Sequence, residues 1–319
     1  MKNRYSNIIL FSKKILIKTL ELLTKGNLAG LPTETVYGLA GNAYSNTAVK
    51  KIFKLKKRLK QNPLIIHYYN IQQTADDVVI NNNFKKLYKK LCPGPITFIL
   101  KKKKNSKIHS LANAKLKTVA IRFPKHIVVR TILKNINFPL AMPSANISSR
   151  VSPVCAQDVL DEFKEKIKLI IDGGKSKVGI ESTVVDLTNF PQILRPGIIT
   201  SSQIEKILNL KIKEKKNKSK VKSPGMLKKH YSPGIPVLIN QKKSDGKSAF
   251  IYLGNKHKNN NNFFSLSKNS NLNEAASNLY KTLRLIKKKG FKKIQITKIP
   301  FKGTGIAIND RIRRASNFK

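Results

Sequence analysis

Over roughly its first 210 residues the chain alternates short apolar runs with helical stripes, and that alternation restricts it to a layered α/β architecture. Strands are expected at residues 27–31, 64–68, 96–100, 119–123, 140–143, 169–171, 183–187 and 192–194. Helices are expected at 13–25, 47–57, 84–91, 126–133, 156–166 and 201–208, with Asn46 as the N-cap of the second. Past residue 168 strands follow one another without helices between them. That spacing predicts a twisted, mixed, open sheet flanked by helices rather than a doubly wound parallel one.

The alternation stops at residues 211–222, which hold seven lysines and one glutamate and no apolar stripe. Turn-rich text follows, Ser223-Pro224-Gly225-Met226 and His230-Tyr231-Ser232-Pro233. The expected organisation is a catalytic domain at 1–210, a linker at 211–235 and a smaller α/β domain at 236–319. The last of these has strands at 237–239 and 249–253 and helices at 274–288 and around 310–315.

With 319 residues, 40% of them apolar, the chain can bury a full core, which excludes wholesale disorder. Sixty-four basic and 16 acidic residues give a net charge of +48 and predict attraction to polyanions. Lysine and asparagine runs spread along the whole chain read equally as compositional drift on a solvated surface. Cys92 and Cys155 have no CxxC spacing, no segment reaches the ~20 apolar residues of a membrane span, and a cytoplasmic protein is expected.

Phosphate loops, dinucleotide fingerprints and metalloprotease motifs are missing. Polar residues punctuate the strands instead. Helical spacing from Val49, Ile52 and Phe53 puts Lys56 on an inward stripe, where a cation is costly unless it meets an anion or snorkels at a frayed end. Arg58 and Asn62 follow. In 118–123, period-two alternation sets Thr118, Ala120 and Arg122 on one face, suited to an anion or to solvent. Ser144 and Asn146 share a face after an apolar run, and ordinary turn chemistry explains them as well. Ser182 precedes a β-branched strand, and Arg195 stands before Pro196-Gly197. Together these residues describe a concave face with Lys56, Arg58, Arg122 and Arg195 around hydroxyls, fitted to phosphate and carboxylate.

The stretches Leu31-Pro32-Thr33-Glu34-Thr35-Val36-Tyr37-Gly38, Lys56-Lys57-Arg58, Val119-Ala120-Ile121-Arg122-Phe123-Pro124, Pro143-Ser144-Ala145-Asn146, Gly179-Ile180-Glu181-Ser182-Thr183 and Leu194-Arg195-Pro196-Gly197 resemble the YrdC-type threonylcarbamoyl-adenylate synthases. Residues 223–233 and Asn309-Asp310-Arg311 through Ala315 resemble the linker and C-terminal signature of the long, two-domain form. The resemblance implies that L-threonine, bicarbonate and ATP give threonylcarbamoyl-AMP and pyrophosphate, the first step toward N6-threonylcarbamoyladenosine in tRNA. It implies Lys56, Arg58, Ser144 and Asn146 as catalytic residues and Thr33, His67, Arg122 and Ser182 on threonine. ATP falls to Lys56, Arg58, Asn62, Thr118, Met142 through its backbone, Ser144, Asn146, Ser152, Arg195 and Tyr231. Mg²⁺ is expected on the ATP phosphates with no protein metal site, and the product passes to a downstream tRNA threonylcarbamoyl transferase, with direct tRNA contact left to the basic surface. Leu59 stands where the family often has proline, and Ser149-Arg150 where a glycine is usual.

Two other readings compete. A non-catalytic RNA binder suits the charge, but aromatics are 7% and Trp is absent, poor provision for base stacking. A hydrogenase-maturation carbamoyl-transfer domain shares the resemblance, but two cysteines leave no zinc motifs.

Overall fold

The computed structural model describes residues 7–212, 230–255 and 261–316. The chain runs β1 (Ile8–Leu10), α1 (Lys13–Thr24), β2 (Ala29–Leu31), β3 (Gly38–Asn42), α2 (Asn46–Lys56), β4 (Ile65–His67), α3 (Asn82–Leu91), β5 (Ile96–Lys101), β6 (Thr118–Arg122), α4 (Ile127–Lys134), β7 (Leu140–Ala141), α5 (Ala156–Phe163), β8 (Ile170–Asp172), β9 (Thr183–Asp186), β10 (Gln192–Arg195) and α6 (Ser201–Leu208). Then come β11 (Val237–Leu238), β12 (Ala249–Tyr252), β13 (Phe263–Ser265), α7 (Leu272–Lys288), β14 (Ile294–Ile296) and α8 (Thr304–Ser316).

Among the described residues the first ten strands form one mixed sheet, ordered β1-β8-β2-β3-β7-β4-β6-β5-β9-β10. Parallel pairs such as β4–β6 and β5–β9 alternate with antiparallel ones such as β5–β6 and β9–β10. The sheet places helices on both faces. Val49, Ile52 and Phe53 of α2, Phe84 and Leu87 of α3, and Val159 of α5 pack with Ile66, Phe98 and Ile121 on one side. Leu23 of α1 and Val129, Ile132 and Leu133 of α4 cover only part of the other side, over Leu31, Ala40 and Leu140. Beyond them that second face carries Ile65, Ile99, Ala120, Val184 and Leu194, a patch that no helix of the first sheet covers. The candidate site lies there.

A second, four-stranded parallel sheet, β11-β14-β12-β13, packs against α7 and α8. On α7, Ala275, Ala276, Leu279, Tyr280, Leu283 and Ile286 make one stripe toward the core. That core reaches across to Val36, Val151, Val154 and Ile180 of the first part. The two lobes therefore share an apolar contact beside the uncovered sheet face.

Local corrections are informative. Ser45, not Asn46, caps α2, its Oγ accepting from the Ala48 N–H at 3.2 Å. The stretch 156–166 divides into α5 and a 3₁₀ turn at Lys164–Lys166. Strands β1, β3, β13 and β14 carry no alternation strong enough to mark them in advance. Of the linker, residues 213–229, with Ser223-Pro224-Gly225-Met226, lie outside the described residues.

Candidate active site

The end of α2 fixes the first two cations. Lys56 is the last member of the buried stripe Val49, Ile52, Phe53, and only 1% of it is exposed. Its Nζ donates to the carbonyls of Ser144 and Asn146, 2.5 Å each. Lys57 then takes a left-handed conformation, φ 50°, that turns the chain out of the helix. Arg58 is thereby swung inward, with Nε donating to the Asn62 carbonyl at 2.8 Å and Nη2 to that of Pro63 at 2.7 Å.

Strand alternation supplies the third. Arg122 follows Ala120 on the uncovered face, and the ladder sets it beside His67 on β4 and Thr97 on β5. Its Nη2 meets Glu34 Oε1 at 2.7 Å, and both side chains are buried. A break in register supplies the fourth. Strict alternation would point Arg195 away from Leu194, but the β9–β10 pairing slips between Ile193 and Arg195. Such bulges re-aim side chains, and here Arg195 donates to the Ser182 carbonyl at 3.0 Å and to Ser182 Oγ at 3.1 Å. Ser182 Oγ also meets Thr97 Oγ1 at 2.7 Å.

Arg58, Arg122 and Arg195 line one cavity with Thr33, His67, Met142 and Ser144. Gly38 lets it form, since a Cβ there would collide with the Met142 side chain. Of the other expected residues, Lys56 and Asn146 lie directly behind Ser144, and Ser182 lies behind Arg195. Ser152 is fully buried, its Oγ donating to Glu181 Oε1 at 2.6 Å. Asn62 is buried beside Arg58, and Thr118 sits half-buried four residues up β6 from Arg122. The Met142 N–H is spent on the Ile65 carbonyl.

Three participants escaped sequence reasoning: Glu34 on Arg122, Glu181 beside Ser182, and His230 at the cavity wall. Both glutamates stood within motifs already singled out, but nothing in a one-dimensional pattern marks a carboxylate as buried. His230 lines the hollow, and Tyr231 packs beside it in the core of the second lobe. Tyr231 is fully buried, stacked on Tyr280 at 5.6 Å with His230 edge-on at 3.9 Å. The Ser232 N–H reaches the Ser149 carbonyl at 2.8 Å, and Ser149 holds φ 72°, a conformation glycine adopts more readily. With that segment in place the cavity is about 40 Å³, room for a few waters.

Charge here is unbalanced. Among the described residues no carboxylate lies within ion-pairing distance of Lys56, Arg58 or Arg195. Burial, with the Arg58 guanidinium beside it, pushes the Lys56 amine well below its ordinary value. Burial and Arg195 likewise push Arg58 down, to about 9. Burial and Arg122 keep His67 neutral. Burial would raise Glu181, but Arg311 and Arg195 hold it at about 2. Arg122 Nε, Asn62 Oδ1, Asn146 Oδ1, His230 Nδ1 and Tyr231 Oη are buried without a hydrogen-bond partner. Buried cations held by carbonyls and a hydroxyl make a site for a polyanion, and the orphaned amide oxygens beside them suit a ligand that also carries N–H or O–H donors.

Comparison with known proteins places the chain in a family. The Sua5/YciO/YrdC family model, described as "Telomere recombination", matches residues 21–197. The model described as "Threonylcarbamoyl-AMP synthase, C-terminal domain" matches residues 199–317. The chain therefore belongs to the Sua5/YciO/YrdC family, in its two-domain form, among nucleotidyltransferase-type enzymes. Its relatives are more specific. The threonylcarbamoyl-AMP synthase of Pyrococcus abyssi is 36% identical, over 93% of this chain and 92% of that protein. That of Bacillus subtilis is 33% identical, over 92% and 91%. A crystal structure of P. abyssi Sua5 complexed with L-threonine superposes with a TM-score of 0.88 at 33% identity, covering 97% of this chain and 96% of that one.

Proposed function

We propose that this chain is an L-threonylcarbamoyladenylate synthase, joining L-threonine, bicarbonate and ATP into threonylcarbamoyl-AMP and pyrophosphate. The observation that carries the reading is the set of buried cations Lys56, Arg58 and Arg195, which pair with no carboxylate among the described residues. A triphosphate and a carbamate supply the missing negative charge.

Threonine sits toward β4, β6 and β9. Its carboxylate faces Arg122 and the Thr33 and Ser182 hydroxyls, with His67, neutral, as a hydrogen-bonding wall. Glu34 holds Arg122 through Nη2 and leaves Nε, buried and unpartnered, for the ligand. ATP lies across the end of α2 and the 142–146 turn. Lys56, Arg58 and Arg195 meet its phosphates, and Asn62, Thr118, the Met142 backbone, Ser144, Asn146, Ser152 and Tyr231 complete the contacts. Ser152 must first exchange its bond to Glu181 for one to the nucleotide.

The carbamate oxygen of N-carboxythreonine forms a bond to the α-phosphorus as the bond to pyrophosphate breaks. Two anions must approach, and charge must pass to the leaving group. Fixed cations in a water-poor hollow lower both costs without reorganising. No covalent nucleophile on the protein is needed. The pocket's carboxylates, Glu34 and Glu181, are each engaged by a guanidinium, and no group of three His, Cys, Asp or Glu among the described residues could hold a metal. Mg²⁺ would therefore arrive on the nucleotide's own oxygens.

A cavity of about 40 Å³ cannot admit ATP, so the segment bearing His230 and Tyr231 opens for entry and closes over the product, a mixed anhydride prone to hydrolysis. This assigns 1–210 to catalysis, 211–235 to a linker over the site and 236–319 to a domain that seats it. Separate sheets support the division, while the two family matches meet earlier, at residues 197–199. A tRNA threonylcarbamoyl transferase consumes the product. No helix among the described residues is long and apolar enough to cross a membrane; we assign the reaction to the cytoplasm, where ATP and reduced cysteines coexist.

Purified chain with ATP and Mg²⁺ should release pyrophosphate only when L-threonine and bicarbonate are both present. Release indifferent to either defeats the reading.

A further inference from the structure

The signature around Arg311 takes no part in the chemistry above, yet Arg311 is among the largest fully buried side chains of the protein. It projects from α8 in the second lobe and crosses to the first. Its Nε meets Glu181 Oε2 at 3.1 Å, and Nη2 meets the Glu181 carbonyl at 3.4 Å. Its Nη1 donates to the Pro196 carbonyl at 2.7 Å and to Asp310 Oδ2 at 3.0 Å. Glu181 is further held by Ser152 Oγ at 2.6 Å and by Tyr280 Oη of α7 at 2.8 Å.

Glu181 immediately precedes Ser182, and Pro196 immediately follows Arg195. One guanidinium thus grips both chain segments that carry the Ser182–Arg195 pair. Gly197 presses them together, since a Cβ there would strike the Thr183 backbone nitrogen. Gly179 does the same between lobes, with no room for a Cβ against Ser277 of α7. Arg311 also lies 5.3 Å over the Tyr231 ring. A planar fork reaches Glu181 and the Pro196 carbonyl with donors at fixed angles, which a lysine ammonium does not offer.

We propose that Arg311 is a positioning residue for the site. Through Glu181 and the Pro196 carbonyl, the second lobe fixes Ser182 and Arg195 in register for substrate. The consequence for kinetics rests on the synthase reading, whereas the clamp itself does not.

Two variants of the full chain test it. Arg311→Lys keeps a charge opposite Glu181 but cannot also reach Pro196. Glu181→Gln with Arg311→Met removes both charges of that pair together, so that neither partner is stranded and folding is retained even where Arg311→Ala would fail. Hydrogen exchange should rise at least tenfold at residues 181–184 and 195–199 in both variants, with the melting temperature held within a few degrees. Pyrophosphate assays should give KM values for L-threonine and ATP raised at least tenfold, with kcat changed far less. A purely structural role would lower melting temperature and active fraction together and leave KM alone. Folded variants with wild-type exchange and wild-type KM values overturn the proposal. Should the wild type release no threonine-dependent pyrophosphate, the reaction is misassigned and the exchange measurement still decides the clamp.

Discussion

Lys56 and Arg58 are costly residues for the empty protein. Each is buried, and among the described residues each lacks a carboxylate and is held only by main-chain carbonyls. Uncompensated buried charge is tolerated where function needs it. Lys56→Met should therefore cut threonine-dependent pyrophosphate release at least roughly 100-fold, while circular dichroism reports a folded chain. Activity within a few-fold of wild type would remove Lys56 from the reaction. Glu34 has the opposite character, since it neutralises Arg122. Glu34→Ala strands that guanidinium and should cost roughly 3–5 kcal/mol in denaturant unfolding. A loss below about 1 kcal/mol would mean that the pair does not carry the local fold. Sequence exposed the cations because they interrupt apolar periodicities. It hid Glu34 and Glu181, whose meaning depends on partners 88 and 130 residues away.

Elements were legible wherever local chemistry decides them. Helix α6 occupies the expected residues 201–208, with a Thr200–Gln203 capping box at its start. Strands were shortened at their ends, and β3, rich in glycine and alanine, left no alternation to read. The bulge at 193–195 that aims Arg195 was invisible, because it arises from pairing with β9 rather than from β10 itself. The closing segment makes its own prediction. Burial, and the charges of Arg58, Lys56 and Arg195, outweigh Glu181 and hold His230 near 3. Released into water, the imidazole titrates near its ordinary value of about 6.5. Between those values the open form binds a proton that the docked form refuses, so docking weakens as pH falls and is restored as pH rises through 6.5. At about pH 5 amide protection around residues 230–232 should drop roughly 30-fold relative to pH 8, after correction for intrinsic rates. Protection of β5 and β6 should hold. Equal loss everywhere, or none, would refute the docking role of His230.

The whole molecule joins two cores through an apolar seam and through polar contacts that include the Arg311 clamp and the bonds of Arg284 to Val151 and Glu162. Its net charge is +48, and three of its arginines meet in the hollow. With a net charge of +48, electrostatic steering of ATP should make kcat/KM for ATP fall roughly tenfold between about 0.05 and 0.5 M salt. A flat salt profile would confine electrostatics to the buried residues. Composition could predict that attraction but not its focus, which exists only once β4, β6, β9 and β10 bring their ends together under the second lobe. The most direct test of the account follows radiolabelled bicarbonate. With wild-type chain, L-threonine and Mg²⁺-ATP, label should appear in a species that also carries AMP; the label should vanish when threonine is omitted or Arg58→Ala is used. Pyrophosphate release without transfer of label to the nucleotide would contradict the account.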